Sequence, residues 1–221
     1  MSLISIFKSS IGKKLLMALS GIFLVVFLTQ HFLINVTSVF SEEIFNFLSH
    51  FMGNNPLVQF VLQPILIFGV VFHFVMGFVL ELKNNKSRSS KYVSFKGAAN
   101  ASWVSRNMIL SGIVVLSFLG LHFYDFWVPE MNYKYVEILP KDPDRYYGEL
   151  VHKFHSPVRV GIYALSFVFL ALHLYHGFAS SFQSVGLNNK YTRGVKWLTS
   201  AFALGIPAGF IFIAIFHHLN G

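Results

Sequence analysis

Five long runs of apolar residues divide the chain, at roughly 15–36, 57–80, 107–128, 157–180 and 198–219. A helix needs about 20 mostly apolar residues to cross a bilayer, and each run is long enough. We therefore predict an all-α integral membrane protein with five transmembrane helices, four of them forming a bundle that the fifth accompanies. Residues 1–221 form a single domain in this interpretation.

Two of the connecting segments have patterns of their own. In segment 41–55, Glu42 and Glu43 open a run of spaced apolar residues, which predicts a short helix lying at the outer membrane interface. The alternative is an ordinary loop. Segment 129–156 is rich in acidic residues and is predicted to be an outer loop. The basic start of the chain resembles a signal peptide, but no small-x-small cleavage pattern follows, so we predict an uncleaved first span.

Composition supports the membrane interpretation and excludes several kinds of chemistry. Hydrophobic residues make up 54% of the chain and charged residues 12%. The net charge of +8 comes from basic residues beside the spans rather than from a basic arm, so no nucleic-acid partner is expected. The chain has no cysteine, which excludes disulfides, thiolate-bound iron–sulfur clusters and covalent attachment of haem through cysteine.

The distribution of Lys and Arg predicts the orientation. Counted over the segments between spans, twelve lie on the side of the N-terminus and five on the other side. Because positive residues favour cytoplasmic loops, we predict a cytoplasmic N-terminus and a C-terminus on the outer side.

Four histidines lie inside four of the five spans and form two sequence-matched pairs. One pair shares a Ser-Gly step followed, after nine residues, by His-Phe: Ser20, Gly21, His31 and Phe32 in the first span, and Ser111, Gly112, His122 and Phe123 in the third. The other pair shares His-x-x-x-Gly-Phe: His73, Gly77 and Phe78 in the second span, and His173, Gly177 and Phe178 in the fourth.

The predicted topology gives the depth of each histidine. At the helical rise of 1.5 Å per residue, His31 and His122 lie about 24 Å from the inner edge of the membrane. His73 and His173 lie about 12 Å from that edge. We therefore expect His31 to face His122, and His73 to face His173. We refer to these as the outer pair and the inner pair.

Two imidazoles at one level of a helical bundle are typical ligands of a b-type haem. Ser20 and Ser111, eleven residues before the outer ligands, are expected to face inward at the level of the inner haem. Gly77 and Gly177 are expected to keep the helix faces beside the inner ligands free of side chains. Small residues could also serve close helix packing alone, and a single membrane histidine could serve packing or proton transfer.

The remaining six histidines do not fit the pattern. His176 lies one helical turn from His173, but the matching position in the second span is Met76, so His173 is preferred as the ligand. His217 and His218 end the fifth span and are expected to be solvated. The others are expected at the outer surface: His50, His152 and His155.

These motifs resemble those of the cytochrome b subunit of succinate dehydrogenase and fumarate reductase, in its single-chain form with five helices and two haems. The resemblance covers all five spans. Its most specific elements are Ser-Gly-x(9)-His, Gly-x(9)-His-x-Tyr, and His-x(3)-Gly in two copies. It implies two haem b groups with His31, His73, His122 and His173 as axial ligands, and menaquinone as the redox partner.

The resemblance also implies two soluble partners on the cytoplasmic side: a flavoprotein subunit that interconverts succinate and fumarate, and an iron–sulfur subunit. FAD and iron–sulfur clusters would belong to those subunits and not to this chain. The expected location is a bacterial cytoplasmic membrane, and the complex could form a homodimer. Loops 83–106 and 182–197 are the expected docking surface, and Arg106 is a candidate partner for a haem propionate.

One position departs from the pattern of some relatives. They carry an acidic residue two positions before the fourth ligand that is thought to transfer protons, and this chain has Ala171 there. Relatives also use an acidic side chain at the outer quinone site. Asp125 is the best candidate here, followed by Glu43, although both could be solvated interfacial charges.

Three alternative functions stay open. The chain could be the di-haem cytochrome b anchor of another oxidoreductase, such as a hydrogenase or a formate dehydrogenase. It could be a transporter without haem, which should show broken helices around a midplane site. It could also be a purely structural membrane anchor, which would leave the paired histidines unexplained.

Overall fold

The structure is a computed structural model that describes residues 9–86, 107–186 and 192–221. Helices account for 89% of these residues, and no strand occurs among them. Five of the helices are long and apolar enough to cross a membrane. The predicted fold class, an all-α membrane protein with five spans, is therefore confirmed.

The spans are built from α-helices with π-helical turns in the second and third. The first span is α1 (Ser10–Thr37), and α2 (Glu42–Asn54) follows it. The second span joins a π turn (Val58–Leu62) to α3 (Gln63–Lys86). The third contains α4 (Met108–His122), a π turn (Phe123–Trp127), α5 (Val128–Met131) and a second π turn (Asn132–Val136). After α6 (Arg145–Phe154), the fourth and fifth spans are α7 (Pro157–Ser184) and α8 (Thr192–Asn220).

The third span extends further than predicted. The apolar run ends near residue 128, yet the helix continues to Val136, and α6 occupies much of the predicted loop 129–156. A π turn ends two residues before Pro129, as another does before Pro64. Proline lacks an amide proton and crowds the preceding helical turn, and the wider π turn accommodates it without ending the helix.

The fourth span lies at the centre of the bundle. It packs against the fifth, third and first spans, and the first span also packs against the second and the fifth. Among the described residues, the larger buried cluster lies at the outer end, where α6 and the fourth and fifth spans meet: Phe45, Leu150, Phe154, Val160, Tyr163, Phe167, Phe210, Ile213 and Ala214. A smaller cluster lies further in: Val25, Leu174 and Ala203.

Helices α2 and α6 cover the outer end of the bundle, which is named here from the predicted topology. The helix predicted in segment 41–55 is confirmed as α2, whose N-cap Ser41 accepts a hydrogen bond from the Ile44 amide. Its Asn46 side chain accepts a hydrogen bond from the Tyr147 amide at the start of α6. Phe47 and Phe51 on α2 are exposed, while Phe45 is buried against the core. The position of α2 at a bilayer interface stays a prediction.

Four residues at this end form what we call the cap network: Glu130, Lys134, Arg145 and Tyr146. The Glu130 carboxylate forms ion pairs with Lys134 and Arg145 and accepts a hydrogen bond from the Tyr146 hydroxyl at 2.7 Å. Lys134 also donates to the carbonyl of Gly53 in α2. The network therefore ties the extended third span to both covering helices.

Candidate functional site

The structure brings the four span histidines together in the two predicted pairs. The ring centroids of His31 and His122 are 5.7 Å apart, and those of His73 and His173 are 6.3 Å apart. Each pair joins two different spans at one level of the bundle. Because their sequence separations are large, only the packing of the spans makes these contacts possible.

The spacing of both pairs fits two axial ligands of one iron. A metal–imidazole bond is about 2 Å long, and the ring centre lies about 1 Å beyond the bound nitrogen. Two imidazoles on opposite sides of one iron therefore have centroids about 6 Å apart. The rings lie at 87° in the outer pair and 71° in the inner pair. Such angles are compatible with axial ligation, because two metal–nitrogen bonds do not fix the angle between the two ring planes.

Serine hydroxyls fix the orientation of the inner histidines. Ser20 Oγ lies 3.0 Å from His73 Nδ1, and Ser111 Oγ lies 3.3 Å from His173 Nδ1. Each serine donates its own proton to a backbone carbonyl three residues earlier, at 2.9 Å. Each Oγ therefore accepts a hydrogen bond from a protonated Nδ1, which leaves Nε2 of both histidines without a proton and able to bind a metal. Such second contacts commonly set the tautomer of a metal ligand.

The glycines of the two Ser-Gly steps lie against the same ligands. A Cβ atom on Gly21 would approach His73 Cε1 to 3.4 Å, and one on Gly112 would approach His173 Cε1 to 3.6 Å. Gly77 and Gly177, which we predicted to lie beside the inner ligands, lie against the side chains of Met17 and Met108. The carbonyls of these two methionines accept the hydrogen bonds from the serines. The role of Gly21 and Gly112 was missed, although their repeated Ser-Gly context could have suggested it.

Aromatic side chains surround the outer pair. Phe27 stacks on His31 and Phe118 stacks on His122, with centroid distances of 5.5 and 5.9 Å. Phe210 of the fifth span lies 5.8 Å from the His31 ring. The Nδ1 of His122 is buried and has no hydrogen-bond partner among the described residues, and His31 Nε2 forms a hydrogen bond with the Asn35 side-chain amide at 3.4 Å. Aromatic packing and the Asn35 amide, rather than hydrogen bonds to serine, therefore orient the outer ligands.

A buried carboxylate follows the outer ligand on the third span. Asp125 is 1% exposed and accepts a hydrogen bond from the Tyr163 hydroxyl at 2.8 Å. Arg159 Nη2 lies 3.2 Å from the other carboxylate oxygen, within ion-pair distance but at an angle that gives no hydrogen bond. Asp125 therefore presents no surface to a quinone in this structure. Glu43, the second predicted quinone contact, is exposed in the first turn of α2.

Other predicted residues have varied outcomes. Arg106 and most of loop 83–106 lie outside the described residues, as does part of loop 182–197.

The expectation that His217 is solvated is wrong. His217 is 1% exposed and donates from Nε2 to Ser38 Oγ at 2.9 Å, because the fifth span extends to Asn220 and packs this residue against the first span and α6.

His218 is partly buried and bonds to the carbonyl of Phe154. His152 and His155 are exposed, while His50 is partly buried and bonds to the Pro143 carbonyl. Within the described ranges, no three His, Asp or Glu side chains are placed to hold one metal ion together. Each histidine pair thus offers two protein ligands, which suits an iron whose other four ligands come from a macrocycle.

Comparisons of the chain with protein-family models, curated proteins and solved structures find no match.

Proposed function

We propose that this chain is the membrane-anchoring di-haem cytochrome b subunit of a succinate:quinone oxidoreductase. The observation that carries the proposal is the presence of two histidine pairs at two levels of one bundle, each at the spacing of axial ligands. The motif resemblance supports the particular complex, a succinate dehydrogenase or fumarate reductase. The chain would serve its enzyme as the electron-transfer and quinone-reacting subunit, with the succinate chemistry in a partner.

When bound, two b haems would carry electrons one at a time between the iron–sulfur partner and the quinone. The inner pair, His73 and His173, would hold one of them through Nε2. Each Nδ1–H would remain hydrogen-bonded to a serine hydroxyl, and this bond holds the ring in one orientation. The outer pair, His31 and His122, would hold the other between stacked aromatic rings.

The remaining parts of the proposal follow from topology and resemblance. The flavoprotein and iron–sulfur subunits would dock at the inner end, on the cytoplasmic face of a bacterial membrane, with Arg106 beside a haem propionate. Menaquinone would react near the outer pair. Since Asp125 is buried and Glu43 is exposed, a quinone contact with Asp125 would require the third and fourth spans to part locally.

Haem content tests the proposal directly. We expect two b-type haems per purified wild-type chain, seen in the reduced-minus-oxidised spectrum. His31→Ala and His122→Ala should each lose the outer haem, and His73→Ala and His173→Ala the inner one. His176→Ala, one turn from His173, is the matched control and should retain both. A colourless wild-type protein would overturn the proposal and favour a transporter.

The partner is tested separately from the haems. In the purified intact complex, succinate should reduce the haems of the wild-type chain, whereas hydrogen or formate should not. Reduction by hydrogen or formate alone would instead identify the anchor of a different oxidoreductase, with the ligand assignment unchanged.

A further inference from the structure

The buried Asp125 lies beside the outer ligand pair and has no part in the ligation described above. It follows His122 by three residues, in the π turn that continues α4. Tyr163, which bonds the Asp125 carboxylate, has its ring 6.4 Å from the His122 ring. Phe118 packs against both His122 and Tyr163, which places the carboxylate in one continuous cluster with the ligand.

The cluster contains a matched pair of opposite charges. The Asp125 side chain is 0% exposed, while that of Arg159, its ion-pair partner, is 30% exposed. Charged groups inside a membrane are costly and usually have a function. Apolar residues would hold the third and fourth spans together at less cost, because a buried ion pair contributes little net stability. The charges at this position therefore need an explanation besides packing.

We propose that the Asp125–Arg159 pair sets the reduction potential of the iron held by His31 and His122; this inference rests on the proposed function. An oxidised haem iron carries one more positive charge than a reduced one. A nearby carboxylate stabilises the oxidised form and lowers the potential, whereas a guanidinium opposes this effect. Asp125 has the stronger influence, because it is fully buried and Arg159 is partly screened by solvent.

The inner pair provides an internal reference. Its ligands bond to the neutral hydroxyls of Ser20 and Ser111, at the other level of the bundle. A change of charge at Asp125 should therefore move the potential of the outer haem and leave that of the inner haem nearly unchanged.

The test is a potentiometric titration of the purified intact complex, followed in the visible spectrum. The outer haem is identified as the one missing from His122→Ala. Asp125→Asn should shift its potential to a more positive value, and Arg159→Gln to a more negative value. The double variant should fall between them, and Arg159→Lys, which restores the charge, should return close to the wild type. Opposite signs distinguish a field effect from loosened packing, which would move both single variants the same way.

Glu130→Gln is the matched control, since it removes a carboxylate from the cap network instead of from this cluster. It should leave both potentials unchanged. Equal shifts in both single variants, or no shift while two haems are retained, would overturn the inference. If Asp125→Asn loses the outer haem, the two Arg159 variants decide the question. A more negative outer-haem potential in Arg159→Gln that returns to the wild-type value in Arg159→Lys supports the inference. An unchanged potential in Arg159→Gln overturns the inference. A wild type without haem would instead overturn the proposed function.

Discussion

The inner and outer histidine pairs have nearly the same spacing, but different neighbours hold them. Serine hydroxyls bond both inner ligands, and glycines lie against their rings. The outer ligands have no such bonds to any serine that the structure describes; they lie among phenylalanines, next to a buried ion pair. The contrast shows that the packing of the helices can set a ligand spacing, while local neighbours decide how each ring is oriented.

The two ends of the bundle also differ in the buried apolar clusters that they contain. The outer end contains the larger buried cluster, to which α2, α6 and the fifth span contribute. Among the described residues, the inner end contains the smaller cluster around Leu174. We therefore expect the outer pair to be sensitive to changes in packing, and the inner pair to be sensitive to the loss of individual hydrogen bonds.

The largest effect is expected at His217, which joins the fifth span to the first at the outer end. His217→Ala removes a fully buried side chain and the hydrogen bond that it donates to Ser38 Oγ. We expect the free energy of unfolding to fall by about 2–4 kcal/mol, measured by denaturation in detergent. The exposed His152 supplies the control, since His152→Ala should have almost no effect. Equal stability of the two variants would show that the outer end does not depend on this contact.

The next effect is expected at Gly209, which lies close to the side chain that follows an outer ligand. A Cβ on Gly209 would overlap the ring of Phe32, the neighbour of His31, and Phe32 in turn packs on Phe210. Gly209→Ala should lower the free energy of unfolding by about 1–3 kcal/mol through overpacking. It should weaken the binding of the outer haem more than that of the inner haem.

Gly120 is the matched control for this substitution. It lies two residues before His122, and nothing lies within 4 Å of a Cβ built there. Gly120→Ala should be neutral or slightly stabilising, because alanine favours a helix more than glycine does. Weaker binding of the inner haem in Gly209→Ala would contradict the separation of the two pairs.

A smaller effect, confined to the inner pair, is expected from the serines. Ser20→Ala and Ser111→Ala each remove the serine oxygen that accepts from a ligand Nδ1–H. Removing the hydrogen-bond partner of a metal-ligating histidine typically lowers metal affinity by about 10- to 100-fold. We therefore expect these variants to lose the inner haem more readily on dilution or in competition for haem. Ser117→Ala, which removes only an exposed bond to its own helix, is the control. If the serine variants lose the outer haem and keep the inner one, the assignment of the serines to the inner pair is wrong.

The smallest effect is an alkaline sensitivity of the outer end. Burial, and then the hydrogen bond to Glu130, raises the pKa of the Tyr146 phenol above its ordinary value. The folded protein therefore holds this proton more tightly than the unfolded chain. The resulting stability is complete below pH about 10 and is lost as the pH rises through the folded pKa.

Thermal unfolding between pH about 9 and 11 tests this expectation. The wild type should lose more stability over that interval than Tyr146→Phe, which has no phenolic proton to lose. Tyr135→Phe, at a residue that is 54% exposed, should behave like the wild type. Identical pH profiles for the wild type and Tyr146→Phe would contradict a role of the cap network in this sensitivity.

Much of the fold could be predicted from the sequence. Apolar runs of sufficient length are the direct requirement of a bilayer, so all five spans were found, and the amphipathic pattern found α2. The boundaries were less accurate. The third span continues through polar residues to Val136, because a helix can extend beyond the membrane and a π turn can accommodate Pro129.

The five spans and the pairing of the four histidines can be predicted from the sequence, because helical rise converts residue number into depth. What surrounds each pair depends on how the helices pack against one another. The Ser20–His73 bond, the burial of Asp125 against Tyr163 and Arg159, and the burial of His217 all join different helices. Depth along one helix follows from the sequence, but the rotation of each helix about its axis depends on how its side chains fit those of its neighbours.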